Sequence, residues 1–151
     1  MHSIRVRRYT SADYSRICVL DTPMFPEMGG YVLFRHVAEL FPALFFVAER
    51  EDTGEIVGYI LGGIHLDQPD CGKLIRIGVT PGFRRMECGT RLTDALFQEM
   101  QMRGVRRVHL TVADTNIAAR TFYEKIGFVE KAREEKYFYP ATPRLVLVKN
   151  F

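Results

Sequence analysis

Apolar and polar positions change their period several times along the 151 residues, and each change marks an element. Ile4 and Val6 alternate with polar neighbours as a first strand, with Arg8 near its end. Thr10-Ser11-Ala12-Asp13 supplies capping residues for a short helix over Ala12–Leu20. Asp21–Gly30, DTPMFPEMGG, carries two prolines and two glycines and is expected as a loop. Its Met24, Phe25 and Met28 either fold back onto the core or wall a substrate pocket. Val32, Val37, Leu40 and Phe41 recur at helical spacing, so a second helix is expected over Tyr31–Phe41, stopped by Pro42. A hairpin follows, with Ala43–Glu49 and Ile56–Ile64 as strands around the turn residues Asp52-Thr53-Gly54.

The stretch from Leu74 to Thr93 organises the rest. Leu74, Ile75, Ile77 and Val79 form an apolar, β-branched run that reads as a buried strand, and Thr80-Pro81-Gly82 ends it. Phe83–Gly89 is a basic loop. From Thr90 the period turns helical, with Leu92, Leu96, Phe97 and Met100 on one face and a C-cap at Arg103-Gly104. A strand, a basic turn and a helix start together suit phosphate, because the first N–H groups of a helix lack internal partners and the macrodipole is positive there. Val108–Val112 is a further strand. Asp114-Thr115-Asn116 caps a helix holding Ala118, Ala119, Phe122, Tyr123 and Ile126, which Gly127 stops. Phe128–Tyr139 and Leu145–Val148 read as the closing strands. This order predicts an α/β fold in one domain, residues 1–151, with a mixed, mainly antiparallel sheet and helices on both faces.

Composition narrows the class without naming a function. A hydrophobic share of 47% with 26% charged residues fits an ordered globular chain. The net charge of +3 suits an anionic small ligand and is too weak and dispersed to argue for nucleic acid. Cys18, Cys71 and Cys88 are odd in number and lack CxxC spacing, so neither a disulfide framework nor a metal site is expected, and a reducing compartment is. Charges interrupt the N-terminus where a signal peptide needs its apolar core, and no apolar run reaches transmembrane length. A cytoplasmic protein with no membrane partner is the expectation.

Two motifs then stand in matching elements. VTPGFRRMECG, continued by TRLTDALF, resembles motif A of the GNAT superfamily of N-acetyltransferases. The pattern N-x-x-A-x-x-x-Y-x-x-x-G-F is met by Asn116, Ala119, Tyr123, Gly127 and Phe128. The resemblance covers nearly the whole chain. It implies acetyl-CoA as cosubstrate and an amine, either a peptide N-terminus or a small molecule, as acceptor. By the same resemblance, Ile77, Gly78 and Val79 run beside the pantetheine arm, while Arg84, Arg85, Met86, Glu87, Cys88, Gly89 and Thr90 surround the pyrophosphate. Asn116 and Ala119 reach the cofactor, and Tyr123 touches it and protonates the leaving thiolate. A homodimer is left open. The motif departs from the family pattern at Glu87, where the first glycine is expected. A carboxylate there repels diphosphate and a side chain hinders close backbone approach. That departure motivates an alternative, a non-catalytic acyl-CoA-binding or interaction module.

The acceptor side is less determined. Relatives carry a glutamate at the start of the organising strand, a position that falls near Cys71, and a His or Glu where Thr111 stands. Thr111 cannot act as a base. His109, on the same strand face, and His65, Asp67 and Asp70, in the preceding loop, are the candidates. KYFYPATPRLVLVKN resembles the final hairpin of ribosomal-protein and peptide N-terminal acetyltransferases, with Tyr137 and Tyr139 in the place of the tyrosines that flank the acceptor peptide.

Overall fold

The computed structural model describes residues 3–84 and 87–151. Chain contacts divide into two compact units, Met1–Gly63 with Leu74–Arg103 and Ile64–Lys73 with Gly104–Phe151.

In the first unit, β1 (Ile4–Arg8), β2 (Phe45–Arg50) and β3 (Ile56–Ile64) pair antiparallel in sequence. β4 (Cys71–Val79) adjoins β3. The helices are α1 (Tyr14–Met24), α2 (Gly30–Leu40) and α3 (Cys88–Met102). Ile17 of α1 and Phe34 and Val37 of α2 pack with Phe45, Val47, Tyr59 and Leu61 of the sheet. The intervening strand positions face the other way. A Cβ on Gly58 would lie 3.2 Å from Leu92 Cδ1 and 3.4 Å from Cys88 Sγ, both on α3. Burial on both faces explains why β2 and β3 read as continuous apolar runs rather than alternating ones.

Several boundaries differ from the sequence reading. Asp21 to Met24 are not loop, because α1 continues through Pro23 to Met24, and the loop shrinks to its last residues. The cause is tertiary: Asp21 is buried and held by side chains of the sheet. Phe45, not Ala43, opens β2, because Pro42–Leu44 form a single 3-10 turn. α3 starts at Cys88 rather than Thr90, and Pro81–Phe83 make a 3-10 turn inside the expected loop. Cys88 is buried, so the first turn already packs before the apolar period becomes visible.

In the second unit, the first residues of β4 pair parallel with β5 (Arg107–Ala113), in the register Cys71↔Arg107, Gly72↔Val108 and Lys73↔His109. This ladder is why β4 begins at Cys71 and not at Leu74. β5 pairs antiparallel with β7 (Thr142–Asn150), and β7 with β6 (Val129–Phe138). α4 spans Ile117–Lys125. β6 is exposed almost throughout, and its run EKAREEK is a charged edge that discourages pairing with another chain. β4 runs through both units, and the hydrogen-bonded strand order is β1-β2-β3-β4-β5-β7-β6. The mixed, mainly antiparallel sheet with four α-helices is the expected fold.

Candidate functional site

The turn from β4 to α3 holds the expected cofactor residues of the first unit. Ile77 and Val79 are half-buried and Gly78 is buried. A Cβ on Gly78 would meet Tyr59 Cε1 at 2.7 Å and Met24 Cε at 2.8 Å, so packing alone demands glycine there. The parallel ladder of β4 with β5 pairs Cys71–Lys73 with Arg107–His109. Arg84 donates from Nε to the Val79 carbonyl at 3.0 Å and from Nη2 to Met24 Sδ at 3.3 Å. Arg85 and Met86 lie outside the described residues.

Glu87 sits just before α3 with φ 62° and ψ 3°, and among the described non-glycine residues it alone has a positive φ. This is the conformation in which glycine carries no penalty, which explains why the family pattern expects glycine at this place. No ion pair joins Glu87 to Arg84 or Arg91 among the described residues, and Arg91 instead donates to the Ile4 carbonyl. No side chain caps α3. Thr93 Oγ1 hydrogen-bonds the carbonyls of Gly89 (3.1 Å) and Thr90 (2.8 Å), which holds the first turn in shape and leaves its N–H groups pointing forward. Burial pushes the Cys88 thiol up to about 11, the Arg91 charge opposing, so this sulfur stays protonated and is no nucleophile at neutral pH.

α4, in the second unit, starts differently. Asn116 Oδ1 accepts from the Ala119 N–H at 3.2 Å, and the Asn116 carbonyl accepts from the Arg120 N–H at 3.0 Å. One turn on, Tyr123 is 8% exposed, its ring edge-on to Phe122 at 5.5 Å and to Phe128 at 5.7 Å. Phe122 is itself half-buried, not core. The Tyr123 ring is fixed by packing, while no described residue hydrogen-bonds the Tyr123 hydroxyl. No buried side-chain oxygen among the described residues lacks a partner, so this hydroxyl reaches the surface. Burial pushes the phenol up to about 12, with the Arg144 charge opposing.

The candidate bases gather unevenly. His65 and His109 meet Nε2 to Nε2 at 2.6 Å, with His65 exposed and His109 half-buried. Burial, then the charges of His65, Lys73 and Arg107, push His109 down to about 4, so it is neutral at pH 7 and a weak proton acceptor. Asp67 and Asp70 are exposed. Thr111 Oγ1 accepts from Arg144 Nε at 3.2 Å. Of the two hairpin tyrosines, Tyr137 accepts from Lys73 Nζ at 2.7 Å, whereas Tyr139 is fully exposed.

One cluster in the first unit escaped the sequence reading. Asp21, 2% exposed, accepts from the Tyr59 hydroxyl and from Arg76 Nη1 at 3.0 and 3.2 Å. Arg76, 7% exposed, also donates from Nη2 to the Met28 carbonyl at 2.9 Å and lies 4.8 Å over the Phe25 ring. Removing one partner of such a buried pair costs about 3–5 kcal/mol. The cluster pins the end of α1 and the loop before α2, including the Phe25 and Met28 that the sequence left between core and pocket. Its signal was a single charge inside the apolar run LIRIGV.

The sequence profile of the acetyltransferase (GNAT) family matches residues 12–128. The chain belongs to that family. It is accordingly an acetyl-CoA-dependent N-acetyltransferase, with acetyl-CoA as cosubstrate. An N-alpha-acetyltransferase of Sulfurisphaera tokodaii is 32% identical over 136 residues, covering 83% of this chain and 80% of that protein. The solved structure of Ard1 from Thermoplasma volcanium matches with a TM-score of 0.88 at 23% identity, over 97% of each chain. Arabidopsis thaliana Naa50, solved with the bisubstrate analogue CoA-Ac-MVNAL, matches with a TM-score of 0.82 at 19% identity, over 99% of each chain. Both structures share this fold.

Proposed function

We propose that the chain acetylates the α-amino group of a peptide or protein N-terminus by direct attack of the neutral amine on the thioester carbonyl of acetyl-CoA. The carrying observation is the similarity to the N-alpha-acetyltransferase of Sulfurisphaera tokodaii along most of both chains. Chemistry favours the same acceptor, because an α-amine with a pKa of about 8 loses its proton more readily than a lysine at about 10.4. The whole of residues 1–151 acts as one N-acetyltransferase domain in this reading, the family profile running through both units. Three free cysteines support a reducing, cytoplasmic setting.

The residue roles follow the geometry of each unit. The edge of Ile77–Val79 bonds the pantetheine amides. The uncapped start of α3, from Cys88 to Thr90, takes the diphosphate on its N–H groups, and Arg84 stands beside it as a cation. Asn116 and Ala119 are already bonded to each other, so they shape the turn that presents Tyr123 to the coenzyme sulfur. Its phenol, at about 12, lies well above an ordinary thiol near 8.5, so full proton transfer to a thiolate is uphill by roughly 5 kcal/mol. Tyr123 therefore donates a hydrogen bond as sulfur charge develops, and yields its proton late. His109 is too weak a base to deprotonate an ammonium unaided, so the amine enters neutral. Glu87 does not turn the chain into a binding module, since it occupies the backbone conformation the missing glycine would take.

Mass spectrometry of peptides incubated with the chain and acetyl-CoA tests the reading. Peptides with a free α-amine gain one acetyl group, and the same peptides blocked at that amine gain none. Equal modification of blocked peptides at lysine, or turnover only with small amines, refutes the peptide acceptor.

A further inference from the structure

The second unit brings His109 to a loop that carries His65 and Cys71, three metal-ligating side chains that the acetyl-transfer reading does not use. A ring nitrogen of His65, Cys71 Sγ and a ring nitrogen of His109 all lie within 4.8 Å of one another. The backbone holds them there. The His65 N–H donates to the Cys71 carbonyl at 3.0 Å, and the Cys71 N–H donates to the Gln68 carbonyl at 2.8 Å, closing the connecting loop on itself. His109 is fixed from the other side by the parallel ladder, in which Lys73 faces His109 and Cys71 faces Arg107. The two imidazoles meet at 2.6 Å through Nε2 atoms, an arrangement that needs one proton shared between two lone pairs.

We propose that His65, Cys71 and His109 form a three-ligand site for a borderline-soft transition-metal ion, zinc(II) foremost, with the fourth position open to solvent. The donor set decides the class of ion. A thiolate with two imidazoles selects zinc, cobalt or copper, and a site without a carboxylate has nothing for magnesium or calcium. Burial grades in the right direction, from buried Cys71 through half-buried His109 to exposed His65, so one side of the cluster opens to water. Zinc bonds of about 2.0–2.1 Å to nitrogen and 2.3 Å to sulfur place two ligand nitrogens about 3.3 Å apart in a tetrahedron. His65, exposed in a loop, accommodates the opening from 2.6 Å by a small ring rotation. On binding, the Cys71 thiol gives up its proton, and the imidazole that carried the shared proton on Nε2 moves it to Nδ1 so that both Nε2 lone pairs face the metal. Cysteine spacing gave no hint of this site, because only one of its ligands is a cysteine and the other two come from a loop and a neighbouring strand.

Titration of the reduced, untagged, metal-stripped full chain with cobalt(II), without coenzyme A, tests the site apart from acetyl transfer. One equivalent of cobalt should give the intense visible bands of a tetrahedral ion together with a sulfur-to-cobalt charge-transfer band, and zinc should displace both. Cys71→Ser should abolish the charge-transfer band, while Cys18→Ser keeps it. His65→Gln, at an exposed position, should weaken zinc binding at least about tenfold. Absence of the tetrahedral bands overturns the proposal, as does unchanged zinc affinity in His65→Gln. If Cys71→Ser loses its circular dichroism, the His65→Gln titration decides alone.

Discussion

The chain leaves β4 and β5 by turns of opposite design. After β5, Asn116 closes the start of α4 with its own side chain, accepting from the Ala119 N–H at 3.2 Å. After β4, Glu87 stands at the start of α3 in a left-handed conformation and no side chain caps the helix. A closed turn holds a side chain one turn further on in a fixed place, and Tyr123 is that side chain. An uncapped turn keeps its N–H donors for something that arrives from outside, and a diphosphate is the anion it suits. In the proposed mechanism chemistry falls to α4 and cofactor retention to α3, and each role can be broken separately.

The largest expected effect lies on the closed side. Tyr123→Phe keeps the ring and its edge-on contacts and removes only the hydroxyl. It should lower kcat by roughly ten- to a thousand-fold, the range for losing one proton donor, while calorimetry finds acetyl-CoA affinity nearly unchanged. Normal turnover would remove Tyr123 from the mechanism. On the uncapped side, Thr90→Glu puts a carboxylate in the first turn of α3. The helix itself should gain a few tenths of a kcal/mol from the macrodipole. Acetyl-CoA should bind about tenfold more weakly, because the same carboxylate competes with diphosphate for the N–H groups. Thermal stability and affinity then move in opposite directions, and parallel movement would show that the turn is not a phosphate seat.

These two turns also show what a sequence discloses and what it withholds. Asn116 was legible as a cap because capping is local chemistry, readable from three residues. The strand pattern of β3 was legible for the same reason, since Ile56–Ile64 is β-branched and bounded by turn residues. The length of α1 was not. Pro23 argues for a break, and the helix persists because Tyr59 and Arg76, distant in sequence, hold Asp21 beneath it. The cluster of His65, Cys71 and His109 was hidden by the same physics. His65 and His109 were read singly as candidate bases and Cys71 as the place of a glutamate in relatives, and only the Cys71–Lys73 ladder and the loop closure bring them together. Glu87 was legible as a departure from the pattern, but its backbone conformation was not.

A smaller effect tests the cap directly. Asn116→Ala leaves the Ala119 N–H without its partner and should cost about 1 kcal/mol, lowering the melting temperature by roughly 2–4 °C for a chain of this size. Because the cap fixes the turn that carries Tyr123, kcat should fall as well, while acetyl-CoA affinity stays near that of the parent chain. A change confined to affinity would mean that Asn116 serves the cofactor directly and that the two turns are less distinct than their geometry.

Glu87→Gly is the finest test, because three terms nearly cancel in stability. Relief of the left-handed backbone gains about 1–2 kcal/mol. Glycine's extra freedom in the unfolded chain takes back about 0.5–1 kcal/mol. Loss of a carboxylate near the helix start takes a further 0.3–1 kcal/mol or so. The melting temperature should therefore shift by no more than about 5 °C in either direction. Affinity has no such cancellation. Removing a like charge and a side chain beside the diphosphate should tighten acetyl-CoA binding a few-fold, measured by calorimetry. If charge dominates, the gain shrinks as salt rises, since exposed charges are screened over about 10 Å at 0.1 M. If close backbone approach dominates, the gain persists at high salt. Weaker binding in Glu87→Gly would show that the carboxylate holds the loop in its working shape, and the uncapped turn would then depend on a side chain after all.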